Sequence, residues 1–338
     1  MRACFKAIAA SAAIVATTAG PTACSSGGGQ GASTGAGAGA IQATTWSATP
    51  GSRAQPGNSN GASAPATPHR ESAPLTGLFI QGGSQAVANF RAQTGVKPKI
   101  VLNFGGWGKD FMANWASTVT ANGGMPLLQI GMGKTKKDPP LIASGADDSY
   151  LASFARQVRD FGHPIILSYG HEMNGTWYSW GWKRTSPATF VAAWRHIVDV
   201  FRAQGATNVT WLWTVQAYAD SPKQTTSPVR WWPGSDYVTW VGVDGHYLYS
   251  GETFHKIFDP VLSAVEGITS KPILIAETAI APKVGQASAL PDLFEGVASG
   301  GLLGLVYFDT TGNADYRLQS AAALAAFGAA AKKYGYAG

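Results

Sequence analysis

Two glutamates stand where apolar runs break off. Glu172 follows the run in "PIILSYGHEMNGTWYSWGW", and Glu277 follows "KPILIA". A carboxylate directly behind such a run is costly unless it is paired or opens into a polar cavity. Two of them, 105 residues apart in the chain, supply what glycoside hydrolysis needs. One carboxylic acid protonates the leaving oxygen and one carboxylate attacks the anomeric carbon, at about 5–5.5 Å from each other in retaining enzymes. The acid must keep its proton near neutral pH, which burial or a neighbouring charge achieves. The competing reading is a salt bridge inside the mouth of the fold. Glu172 and Glu277 are the candidate catalytic pair.

The residues around Glu172 fit sugar chemistry. His171 precedes it and is expected to hydrogen-bond the sugar or the acid. HEMNG is not the zinc motif HExxH, because Gly175 stands where the second His belongs, so metalloprotease chemistry is disfavoured. Trp177, Tyr178, Trp180 and Trp182 follow within ten residues. That is more aromatic surface than a loop needs for packing, and Trp177 is expected to form a sugar platform. Trp107 and the pair Trp231-Trp232 are weaker platform candidates. The two cysteines, Cys4 and Cys24, both lie near the N-terminus. The remainder therefore has no disulfide, thiolate metal site or cysteine nucleophile. Neither a metal nor a cofactor is expected.

Such a pair needs a scaffold that brings distant strand ends together. Eight short apolar runs occur, at 77–81, 100–104, 125–130, 165–169, 209–214, 241–244, 273–276 and 304–308. They are continuous rather than alternating, as in parallel strands covered on both faces. Helical spacings lie between them: Leu151, Phe154, Ala155, Val158 and Phe161 in one, Phe190, Trp194, Ile197 and Phe201 in another. Asp148 is a plausible N-cap for the first, and Ser186-Pro187 opens the second. The stretch from Thr214 to Val241 shows no clear helix. Eight strands with intervening helices predict a (β/α)8 TIM barrel. An open doubly wound sheet is the rival, and no Gly-rich first turn supports it.

The N-terminus reads as an address and a tether. Residues 1–23 have a positive start, an apolar stretch and a small-residue site, which predicts a secretory signal. Cys24 then resembles the acylated cysteine of a bacterial lipoprotein, although Pro21 stands where such signals carry Leu. Residues 24–73 are rich in Gly, Ser, Ala, Thr and Pro and read as a disordered linker. The chain is thus expected to be secreted or lipid-anchored at a bacterial cell surface, with residues 74–338 as the catalytic domain. Of the formal charge of +6, half comes from Arg2, Lys6, Arg53 and Arg70 against Glu71. The one basic run, Lys134 to Lys137, reads as a solvated loop, so no nucleic-acid partner is expected. The expected partner is a polysaccharide or oligosaccharide, and the expected state a monomer.

At these residues the chain resembles glycoside hydrolase family 26, best known for endo-β-1,4-mannanases. "GHEMNGTWYSWGW", "FVAAWRHIVDVFRAQGATNVTWLWT", "WWPGSDYVTWVGVDGHYLY", "KPILIAET" and "YFDTTGNADYRLQS" come in the family's order. The resemblance implies an acid/base after the fourth strand, Glu172, and a nucleophile after the seventh, Glu277. It also implies that His171 and Trp177 lie near the cleaved bond. The tyrosine that supports the family's nucleophile falls on His246, with Tyr247 as the alternative after a local shift. The chain departs from the family at Ser168, where an Arg is usual, and at Ile130-Gly131-Met132, where Trp-Glu-Pro is usual. It departs again at Tyr307, which takes the place of a Trp at the end of the eighth strand. The resemblance thus implies a retaining endo-β-glycanase acting on β-1,4-mannan. A β-1,3-1,4-glucan, a β-1,3-xylan or a non-catalytic carbohydrate-binding role is the alternative.

Overall fold

The structure, a computed structural model, describes residues 74–132, 139–217, 224–312 and 314–337. The expected signal, Cys24, the linker and the basic run from Lys134 lie outside the described residues. Eight strands follow one another: β1 (Leu75–Ile80), β2 (Ile100–Gly106), β3 (Met125–Met132), β4 (Ile165–Tyr169), β5 (Val209–Gln216), β6 (Trp240–Tyr247), β7 (Ile273–Ile280) and β8 (Gly304–Asp309). Each pairs in parallel with the next, and β1 pairs with β8, so the sheet closes on itself. This is the (β/α)8 barrel that the run pattern predicts.

The helices are α1 (Gly83–Thr94), α2 (Ala113–Ala121), α3 (Pro139–Ala143), α4 (Asp148–Phe161), α5 (Pro187–Ala203), α6 (Phe254–Glu266), α7 (Gln286–Ser299) and α8 (Ala321–Lys333). Between β5 and β6 the described chain forms two short 3-10 turns, Pro228–Trp231 and Ser235–Tyr237, in place of a helix. The stripe Phe190, Trp194, Ile197 and Phe201 of α5 is buried, as its spacing predicts. Ser186 caps α5 by accepting a hydrogen bond from the Thr189 amide, with Pro187 in the first turn. Such a cap stabilises a helix by about 1 kcal/mol.

The cap expected at Asp148 is displaced by one residue. Asp147 occupies the N-cap position of α4 without capping it. Its carboxylate instead accepts from the Trp107 indole at 3.2 Å, and Asp148 becomes the first helical residue.

Parallel closure puts the C-terminal ends of all eight strands at one rim, the end of such barrels where chemistry collects. One irregularity matters there. Between β6 and β7 the register runs from Val243 opposite Ile275 to Asp244 opposite Glu277, so Ala276 is the extra residue of a bulge. A bulge re-aims the side chains that follow it, and here it sets two carboxyls side by side.

Candidate active site

β4 ends at Tyr169, and the backbone then turns through two left-handed residues, Gly170 (φ 58°) and Glu172 (φ 56°). For a residue with a side chain this conformation costs about 1–2 kcal/mol. The surroundings hold it in place: the Glu172 amide donates to Thr214 O at 2.9 Å, and Glu172 O accepts from the Gly175 amide at 2.8 Å. Asn174 ties the same turn to its neighbours. Its side-chain amide donates to Gln216 O (2.8 Å) and Thr226 O (2.9 Å), and its oxygen accepts from the Gln216 amide (2.8 Å). Gly175 leaves room for an aromatic ring, since a Cβ there would stand 2.4 Å from Trp177. The Trp177 indole N–H donates to Glu172 Oε2 at 2.5 Å.

Glu277 sits within β7, all eight residues of which are buried. His246 Nε2 lies 3.4 Å from Glu277 Oε1. Among the described residues no Lys or Arg lies within ion-pair distance of Glu172 or Glu277. A structural salt bridge therefore does not account for either acid. Their exposures are 9% and 7%, and burial pushes the Glu172 carboxyl up to about 8. The Glu277 charge adds to that rise, and the Trp177 hydrogen bond opposes it. The two glutamates, remote in the chain, thus share one desolvated space.

His171 is buried beneath this space. Its Nε2 lies 3.0 Å from the Tyr178 hydroxyl, and its Nδ1 has no partner. Burial lowers its pKa to about 3, so the ring is neutral. Tyr178 stacks on Trp180 with centroids 4.5 Å apart, and the Trp180 indole donates to His171 O at 2.7 Å. The aromatic run after Glu172 therefore works mostly as a support for His171 and Glu172. Trp182 is half-buried, with the Lys183 ammonium 4.3 Å from its ring centroid.

Four expectations need correction. Consecutive strand residues face opposite sides of a sheet, and this separates His246 from Tyr247. Tyr247 is fully buried away from Glu277, with its hydroxyl donating to Asp292 Oδ2 of α7 at 2.9 Å. Tyr307 is likewise on the outer face of β8, its ring against Phe327 of α8 and its hydroxyl donating to Tyr316 O at 3.2 Å. Its neighbour Phe308 faces His246 edge to face at 6.3 Å, and Tyr316 lies closer to the same ring at 5.3 Å. Trp107 is 5% exposed and packs on Tyr150 and Tyr169, so it offers no sugar platform. Trp231 is 2% exposed and offers none either.

Sequence reasoning missed a polar layer beneath the rim. Gln129, Ser168, Thr214 and Asp244 are all fully buried there, and Thr278, paired with Tyr307, is buried on the helix-facing side. The Ser168 and Thr214 hydroxyls meet at 3.0 Å. Gln129, Asp244 and Thr278 have side-chain polar atoms without a hydrogen-bond partner. The available signal was a polar residue inside an apolar run, as in "VGVDGHY". Two grooves, of about 480 and 340 Å³, open on the same rim beside the β7–α7 and β4–α5 loops. Neither is lined by Glu172 or Glu277, so the carboxyl chemistry rather than groove size locates the site.

Comparison with known proteins bears on the family and the fold. The model of the family "Glycosyl hydrolase family 26" matches residues 140–281. Endoglucanase H of Acetivibrio thermocellus is 32% identical over 264 residues, 73% of this chain and 29% of that protein. The β-1,3-xylanase TXYA of a Vibrio species is 28% identical over 103 residues, 30% of this chain and 21% of that protein. The chain therefore spans less than a third of the length of either relative. Among solved structures, a GH26 β-mannanase from Bacteroides ovatus superposes with a TM-score of 0.59 at 16% identity, covering 78% of this chain and 89% of that one. That likeness speaks for the fold alone. The family match takes in Glu172, the aromatic turn behind it, Asp244 and Glu277 in one run, and the first relative aligns along most of the barrel: this chain belongs to glycosyl hydrolase family 26.

Proposed function

We propose that the barrel is a retaining endo-β-glycanase that uses Glu277 as nucleophile and Glu172 as acid/base. The observation that carries this reading is placement: two buried glutamates at the C-terminal ends of β4 and β7, with no Lys or Arg among the described residues to pair with either. In the first step the Glu277 carboxylate attacks the anomeric carbon, and Glu172 gives its proton to the departing oxygen. In the second, Glu172 takes a proton from water, which displaces the sugar from Glu277. A Glu172 carboxyl raised to about 8 still holds its proton at neutral pH. The Trp177 indole favours its ionised form, which is the form it must reach once the proton has gone. His246 Nε2–H steadies the nucleophile, and Trp177 presents a face to the sugar ring.

A β-glucan is the first substrate to test and a β-1,4-mannan the second. The relative that aligns along most of the barrel is named an endoglucanase, whereas the structural neighbour is a β-mannanase. The positions where mannanases resemble one another are altered here. Ser168 is a small buried hydroxyl held by Thr214. Gly131 (φ 118°) lies against Trp180. Tyr307 faces the helices. The test is reducing-end release from mixed-linkage glucan, mannan, glucomannan and β-1,3-xylan by wild type and Glu277→Ala. Hydrolysis of a glucan by wild type alone supports the reading. No hydrolysis of any β-glycan by either protein moves it to carbohydrate binding without turnover.

We also propose that the chain acts outside the cell, exported by residues 1–23 and held at the surface through a lipid on Cys24. The support is the sequence pattern alone. Metabolic labelling with a fatty acid, comparing wild type with Cys24→Ala, tests it.

A further inference from the structure

The described structure places a third carboxyl in this space, and the two-glutamate reaction gives it no task. Asp244 is fully buried on β6, and neither of its side-chain oxygens has a hydrogen-bond partner. The β6–β7 bulge sets it directly opposite Glu277. The titratable groups that bear on it are Glu277 from β7, Glu172 from the turn after β4, and Tyr178 from the same turn. None of these three is a cation, no Lys or Arg among the described residues pairs with Asp244, and the imidazole of His246 on the same strand lies 3.4 Å from Glu277 and is not paired with Asp244. An ionised carboxylate in such a place would have lost its water and gained no donor, while facing other acids.

We infer that Asp244 serves as a permanently neutral carboxylic acid, a positioning residue that lets the site carry a single negative charge throughout the reaction. The role rests on the two-glutamate reading. Burial first, then the charges of Glu277 and Glu172, hold the Asp244 carboxyl well above the usual carboxylate range. With Asp244 neutral, the one charge sits on Glu277 before attack. It moves to Glu172 when the Glu277–sugar ester forms and Glu172 gives up its proton. The charge returns to Glu277 when water displaces the sugar and Glu172 takes back a proton. An ionised Asp244 would add a second charge to every state and oppose the release of the Glu172 proton.

The experiment uses the full chain labelled with carboxyl-13C aspartate. At pH 7 the spectrum is expected to hold a resonance at the protonated-acid position that Asp244→Asn removes. Should that variant not fold, Asp244→Glu, which keeps a carboxyl but carries no aspartate label, must remove the same resonance. On a β-glycan that the wild type hydrolyses, Asp244→Asn is expected to keep the alkaline limb of kcat/KM within about 0.3 pH unit of wild type. No protonated aspartate at pH 7 overturns the inference, as does an alkaline limb that moves down by about one unit or more in Asp244→Asn. The spectrum needs no substrate, so it stands apart from the test of the reaction. A protein with the resonance and no hydrolysis overturns the two-glutamate reading and the role built on it. Hydrolysis without the resonance overturns only the neutral aspartate.

Discussion

At the end of β4 the chain leaves the sheet before it reaches its glutamate, whereas on β7 the glutamate is still inside the strand. Glu172 comes three residues after Tyr169, on a backbone turned into the left-handed region. Glu277 is the fifth of eight strand residues, paired with Asp244 of β6, while β8 pairs with its neighbours Ile275 and Thr278. The side-chain partners differ as well. Glu172 has an indole donor from its own loop, and Glu277 has an imidazole 3.4 Å away on the preceding strand, β6. The contrast matches the two tasks. A nucleophile must be placed on a rigid element, while an acid/base needs an environment that keeps a proton and then releases it. One residue type serves both because the backbone under it differs.

The comparison can be broken most severely at β7. Glu277→Ala is expected to lower kcat by about 10⁴-fold or more, with partial rescue by azide, measured on the best β-glycan. A loss of less than tenfold would remove the strand-borne residue from the reaction. Next comes Glu172→Gln. It is expected to lower kcat/KM by about 10²–10⁴-fold on polysaccharide and far less on aryl glycosides with good leaving groups. Equal losses on both substrates would deny Glu172 the acid role. In the wild type, kcat/KM is expected to fall as pH rises through about 8, where Glu172 loses the proton it must donate. A profile flat to pH 10 would place the acid elsewhere.

Two smaller effects sharpen the β4 side. Trp177→Phe removes a hydrogen bond that favours ionised Glu172. The alkaline limb should then move up by as much as about one unit, beside a rise in KM. A downward shift would contradict the indole's role. Glu172→Gly and Glu172→Ala both delete the carboxyl, but only Gly enters the left-handed region without strain. The Gly variant is expected to be about 1 kcal/mol more stable to urea than the Ala variant. Equal stability would mean that the turn stores no strain.

The strands were legible because each is an unbroken apolar run, and β4 was read to the residue. β6 and β7 extend further than their runs. Gly245-His246 and Glu277-Thr278 do not read as strand until the neighbouring strands pair with them. The glutamate pair was legible for the same reason that it is costly: acids at the ends of apolar runs stand out. Facing was not legible. His246 against Tyr247, and Phe308 against Tyr307, differ by one step of a period-two alternation, and only the register decides which points inward. Asp244 was read as the end of a run. Its isolation appears only when the bulge at Ala276 brings it against Glu277.

The account turns on Glu277 becoming covalently attached to sugar. A 2-deoxy-2-fluoro β-glycosyl fluoride, matched to the polysaccharide hydrolysed, should inactivate the enzyme one to one. Peptide mass spectrometry should then place the label on Glu277 in the Ile273–Ile280 segment. Label on Glu172, or inactivation with Glu277 unmodified, would contradict it.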